Sequence, residues 1–203
     1  TAGSCFAQHI SRALTARGYD YLVTETGPEV QGYGVFPARF GNIYCARQLL
    51  QLFQRAYGLF APYEGAWRTR DGRVVDPFRP RAHPGGFADA AQMQDDRATH
   101  LAAVRRMFET MDVFVFTLGL TEGWVSARDG AVFPLAPGVA GGPDVADHIR
   151  PHNFTVQQTV DDLTALIDMA RALRPDLRVL LTVSPVPLKA TFEDRHVLVS
   201  TGY

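Results

Sequence analysis

Cysteine is scarce: Cys5 and Cys45 are the only two in 203 residues, which excludes a disulfide framework and a cysteine-rich zinc site. So few thiols point to a reducing compartment, and a cytoplasmic location is expected. No sign of charge prevails either, with 20 basic side chains against 21 acidic ones, so there is no electrostatic reason to expect a nucleic-acid partner. Long hydrophobic runs are missing. The longest uncharged stretch, residues 130–143, is broken by Pro134, Pro137 and Pro143, and nothing approaches the roughly 18 apolar residues of a membrane span. Internal repeats, low-complexity tracts and a glycine-rich nucleotide fingerprint are also lacking. What is present, 46% hydrophobic and 20% charged residues, is the composition of one globular domain over residues 1–203. Thr1 stands where a methionine would start a chain, and Tyr203 follows a short apolar run, so both ends read as cut from a longer protein.

Periodicity gives the elements. Phe6, Ile10, Ala13 and Leu14 recur at three- and four-residue steps, predicting a helix from residue 5 or 6 to about Ala16 with Gly18 as its stop. A second helix is expected from an Asn42 N-cap to Gly58, and a third from about Asp89 to Met111. Residues 59–86, rich in proline, read as a long loop with one short hairpin at Asp71-Gly72. Asp112 to Leu118 reads as a buried strand, followed by a Gly/Pro-rich excursion, a second long loop, to about Asn153. Thr155 and Gln158 make a capping box for a fourth helix that ends before Pro175. Leu177 to Val183 then reads as a second buried strand, and His196 to Ser200 as one more short strand. Strand, helix, strand implies a parallel crossover and an α/β fold.

In open parallel sheets, ligands bind beyond the carboxyl ends of the strands. Gly3-Ser4-Cys5, Gly119 to Glu122 and Ser184-Pro185 are expected together along that edge. A nucleophile at a helix start benefits from unsatisfied N–H groups and from the helix dipole, which stabilise a thiolate or an oxyanion. Cys5 and Ser4 are the candidates; the alternatives are a small buried hydrophobe and an N-cap. His148 and His152 with Glu122 would be a metal set only on one helix face, which Pro151 prevents, so no metal is expected. No cofactor is expected either. His9 and His100 read as ordinary helix histidines, and Arg105-Arg106 as a solvated helix face.

Gly3-Ser4-Cys5-Phe6-Ala7 resembles the signature of the GSCFA family. Arg39-Phe40-Gly41-Asn42-Ile43-Tyr44, Phe116-Thr117-Leu118-Gly119-Leu120-Thr121-Glu122 and Thr182-Val183-Ser184-Pro185-Val186-Pro187-Leu188 resemble its later blocks, in order along nearly the whole chain. That family is similar to the SGNH, or GDSL-like, hydrolases, which are mainly esterases and acyl transferases on a three-layer flavodoxin-like α/β/α fold with a parallel sheet. The resemblance implies the same fold here, incomplete at both ends. Laying Gly-Asp-Ser-Leu on Gly3-Ser4-Cys5-Phe6 implies Cys5 as nucleophile; a shift by one residue implies Ser4. The implied oxyanion hole combines the nucleophile's N–H with Gly41 and a third-block donor. Gly-x-Asn-Asp is replaced there by Gly119-Leu120-Thr121-Glu122, which leaves Thr121 as donor, with Asn42 or Asn153 as substitutes. Glu122 would orient a base or bind substrate, and Trp124 would stack on a sugar face. The only spacing near the family's Asp-x-x-His block is Glu193 to His196, so His196 is the base candidate, with a true block expected beyond residue 203.

The implied activity is acyl transfer: an esterase or transacylase acting on an acylated carbohydrate or related small ester. Two other readings stand beside it, a binding or scaffolding domain that has lost catalysis and an acyltransferase fed by coenzyme A.

Overall fold

The computed structural model describes residues 1–28 and 32–201. In chain order it contains α1 (Cys5–Ala16), α2 (Ala46–Ala56), β1 (Trp67–Arg68), β2 (Val74–Val75), α3 (Ala90–Thr110) and β3 (Val113–Leu118). These are followed by β4 (Glu122–Ser126), β5 (Val132–Phe133), β6 (Ile149–Asn153), α4 (Val156–Leu173), β7 (Arg178–Val183) and α5 (Val197–Thr201).

The fold is mixed α/β, with a small parallel sheet. β3 and β7 run parallel in register from Val113 opposite Arg178 to Leu118 opposite Val183, and α4 leads into β7 within the connection. Ala2 extends the sheet in parallel beside β3: its N–H donates to Val115 at 2.9 Å and its carbonyl accepts from Thr117 at 3.0 Å. The main core lies between this sheet and three helices. Phe114 and Phe116 of β3 meet Leu49, Leu52 and Phe53 of α2, Val104, Met107 and Phe108 of α3, and Leu163 and Leu166 of α4. Helix starts follow capping chemistry. Asp89 accepts from the Gln92 N–H at the head of α3, and Thr155 and Gln158 form the reciprocal capping box of α4.

Four expectations need correction. First, α2 begins at Ala46 rather than Asn42, because residues 42–44 are tied elsewhere: Ile43 N–H donates to Gly3 O, and the Gln48 side chain bonds Tyr44 N and Asn42 O. Asn42 is therefore not an N-cap; Cys45 takes that position without a side-chain cap bond. Second, the excursion after Trp124 is not a bare loop. It forms a three-stranded antiparallel sheet, β5-β4-β6, over a second core of Trp67, Phe78 and Phe133. Third, β7 is not buried. It pairs with β3 alone among the described residues, and Leu180, Leu181 and Val183 are exposed. Fourth, residues 197–201 are a helix, α5, entered through the His196 carbonyl accepting from Val199 N–H. The short hairpin expected in residues 59–86 is present as β1 and β2, joined through Gly72 at φ +82°.

Candidate active site

The sheet's carboxyl edge gathers four separate sequence blocks, and backbone bonds explain how. Gly3 follows the Ala2 pairing with φ at +146°, and a Cβ there would stand 2.9 Å from the Thr117 carbonyl oxygen, so glycine is required by both conformation and space. Its own carbonyl accepts from Ile43 N–H at 2.9 Å, which fastens the Gly41–Tyr44 segment to the turn. Tyr44 in turn accepts from Leu120 N–H at 2.8 Å, which fastens the segment after β3. Gly119 sits against Ser4, where a Cβ would come 3.4 Å from the Ser4 hydroxyl. Ser184 joins the same edge by donating its N–H to Leu118 O at 2.8 Å.

Within this frame the two nucleophile candidates differ. Ser4 is the N-cap of α1 and is buried, with no side-chain cap bond. Cys5 is the first residue of the helix and is exposed. Its position places it at the positive end of the helix dipole, among N–H groups that have no intrahelical acceptor. Cys45 contrasts with it. Burial pushes that thiol up to about 12, which keeps it protonated and unreactive at neutral pH. His9 is exposed four residues beyond Cys5, one helical turn along α1, a relation that the sequence alone leaves undistinguished from any surface histidine.

Asn42 is half-buried beside the turn, accepting from Gln8 Nε2 at 3.2 Å and donating Nδ2 to the Tyr44 hydroxyl at 3.1 Å. Gly41 is exposed at φ +73°. Neither the Gly41 nor the Asn42 backbone N–H is taken by a backbone carbonyl among the described residues. Thr121 accepts from Phe154 N–H through its carbonyl at 2.7 Å, and the residue is half-buried.

Of the remaining candidates, Glu122, Trp124 and Asn153 lie on the second sheet. Glu122 pairs with Asn153 across β4 and β6; Glu122 accepts from the Thr191 hydroxyl at 2.5 Å, and Asn153 donates to Glu193 at 2.7 Å. Trp124 is partly buried against the second core, its ring centroid 6.4 Å from that of Phe192. His196 is exposed, and its Nδ1 accepts from Leu198 N–H; no hydrogen bond joins it to Ser4 or Cys5. His148 bonds Glu64 and His152 bonds Gln158, so they do not converge, and no cluster able to hold a metal occurs among the described residues.

Sequence reasoning missed a buried ionic network next to this edge. Asp76, with no exposure at all, accepts from Arg79 Nε at 2.9 Å and Arg97 Nη2 at 2.7 Å. Burial alone would raise its pKa; the two guanidiniums outweigh that and hold it below the usual carboxylate range. Asp96 bridges Arg79 and Arg39, and Glu25 accepts from the Arg39 backbone N–H and from His100. His100 is therefore no ordinary helix histidine: it is 1% exposed, and burial together with Arg79 pushes its pKa down to about 4 despite Glu25. The readable signal was Asp76-Pro77-Phe78-Arg79-Pro80-Arg81, where charges recur within a proline-rich segment that resembles a solvated loop.

A mixed α/β protein with separate sequence blocks converging on one sheet edge is the class that fold and site define. Residues 1–203 match the GSCFA family along their whole length, and the chain belongs to it. No curated protein and no solved structure matches the chain significantly. Among the described residues, no helix is long and apolar enough to cross a membrane.

Proposed function

We propose that the chain is an acyl-ester hydrolase or transacylase of the SGNH-like type, with Cys5 as nucleophile, acting on an acylated carbohydrate or related small ester. One observation carries the reading: an exposed thiol begins α1 in a glycine turn bonded to the Gly41–Tyr44 segment, which in turn bonds the segment after Gly119. In this reaction Cys5 Sγ attacks the ester carbonyl carbon. The thiol proton passes to a base and then to the departing alcohol, leaving a thioester on the enzyme. Water, or the hydroxyl of an acceptor, attacks the thioester and releases the thiol. The Cys5, Gly41 and Asn42 N–H groups stabilise the oxyanion formed in each step.

Two histidines compete for the role of base. His9 lies one turn from Cys5 on α1, at the about 5–6 Å Cβ spacing of helical neighbours. His196 belongs to the Glu193–His196 spacing, the one in this sequence nearest to the Asp-x-x-His of SGNH hydrolases, whose true block is expected beyond residue 203. Turnover of a chromogenic short-chain acyl ester by His9→Gln and His196→Gln separates them, since only loss of the base shifts the pH profile. The same assay tests the nucleophile: Cys5→Ala is expected to lose at least about a hundredfold in kcat and Ser4→Ala far less. Greater loss in Ser4→Ala moves the nucleophile by one residue. A wild-type chain that turns over neither the ester nor an acyl-CoA donor is a binding or scaffolding domain, a reading favoured by Thr121 standing where the amide of asparagine is expected.

A further inference from the structure

Beside the Cys5 turn lies a cleft of about 280 Å³, bounded by Gln8 and Asn42 near the turn and also by Arg39, Arg79 and Arg81. The reaction proposed above needs no cation there. Arg39 and Arg79 are 5% and 4% exposed, and such burial of guanidinium groups is costly without carboxylate partners. The partners present fall short. Among the described residues, Arg39, Arg55, Arg79, Arg81 and Arg97 are five cations in and around the cleft, whereas Glu25, Asp76 and Asp96 are three anions, an excess of two positive charges in this group. Arg55 counts as a cation at neutral pH because burial lowers its pKa only to about 9, and His100, at about 4, is neutral.

Donor capacity is also left over. Arg39 Nε and Arg79 Nη1 have no hydrogen-bond partner among the described residues. Arg81, exposed at the cleft, makes no side-chain hydrogen bond or ion pair there either. The other walls are apolar, with Phe36, Phe40 and Pro134 among them, so the cleft combines a positive field with a low-dielectric lining that strengthens it.

We infer that this cleft is an anion subsite, which takes a carboxylate or phosphate group carried on a compact, partly apolar body. Arg81 binds the anion directly, and Arg39 and Arg79 supply the field behind it. As the substrate-recognising part of the site, the cleft selects acidic substrates, such as a uronate or a phosphorylated sugar ester, over neutral ones. This selectivity rests on the acyl-transfer reading; the binding itself does not.

The test is calorimetric titration of the full chain with phenyl phosphate, with phenyl glucoside as the neutral control and benzoate as a competing carboxylate. Saturable binding of phenyl phosphate is expected, competed by benzoate, weakened by salt and absent for the glucoside. Arg81→Ala is expected to weaken it about tenfold or more and Arg81→Glu further, with unchanged circular dichroism. The same affinity in Cys5→Ala separates the subsite from the chemistry: binding retained with no turnover in wild type sinks the acyl-transfer reading alone. No saturable binding to wild type, or equal affinity in Arg81→Ala and Arg81→Glu, overturns the subsite and leaves the acyl-transfer reading to its own assay.

Discussion

At the scale of single residues, the site depends on what cannot be replaced at one turn. Gly3 joins the sheet to α1 at φ +146°, with the Thr117 carbonyl so close that a Cβ would approach to 2.9 Å. Gly3→Ala must therefore strain the backbone or push β3 away, and it is expected to cost about 2–4 kcal/mol, measured by denaturant unfolding. A loss within a few tenths would mean that the turn is loose and the thiol's position unfixed. His100 makes a second residue-scale prediction. Its pKa falls from an unfolded 6.5 to about 4, so the unfolded chain binds the extra proton between those values. Stability is fully present above about pH 6.5 and declines as pH falls toward 4. This one group accounts for on the order of 3 kcal/mol of the decline. Asp76, with its pKa also depressed, adds a further decline below its unfolded 3.8. Thermal unfolding from pH 7 to 4 checks the sign, and His100→Gln should flatten that interval; equal slopes in both proteins would refute it.

At the scale of elements, local chemistry decides where helices start and non-local bonding decides where they do not. The α4 capping box satisfies two backbone donors with side chains that neighbour each other in sequence, so it is legible from Thr155 and Gln158 alone. Thr155→Ala is expected to destabilise the fold by about 1 kcal/mol, read as a lowered denaturant midpoint with unchanged slope. The start of α2 was not legible, because Asn42 is a good N-cap by type but its neighbour Ile43 is bonded to Gly3, forty residues away. β7 misleads for a related reason: an apolar run signals burial, yet whether anything covers both faces depends on the rest of the sheet. The Gly3-Ser4-Cys5 turn into α1 was legible, since glycine, small residues and a following amphipathic stripe are all local. The arginine cleft was not, because its charges are buried by partners from α3 and from the segment around Glu25.

At the scale of the molecule, the parallel strands bring the carboxyl-edge blocks together while the three-helix core holds them rigid from behind. The antiparallel sheet adds a second core, and Glu122, Trp124 and Asn153 are carried on its strands β4 and β6. The central claim is that the chain forms a covalent acyl intermediate on the residue that begins α1. Peptide-mapping mass spectrometry after brief acid-quenched incubation of the full chain with a short-chain acyl ester, and separately with an acyl-CoA, tests it most directly. The account predicts an acyl group on Cys5, none on Cys45, and disappearance of the adduct in Cys5→Ala. An adduct on Ser4 that survives in Cys5→Ala, or turnover with no acyl group on either residue, would contradict it.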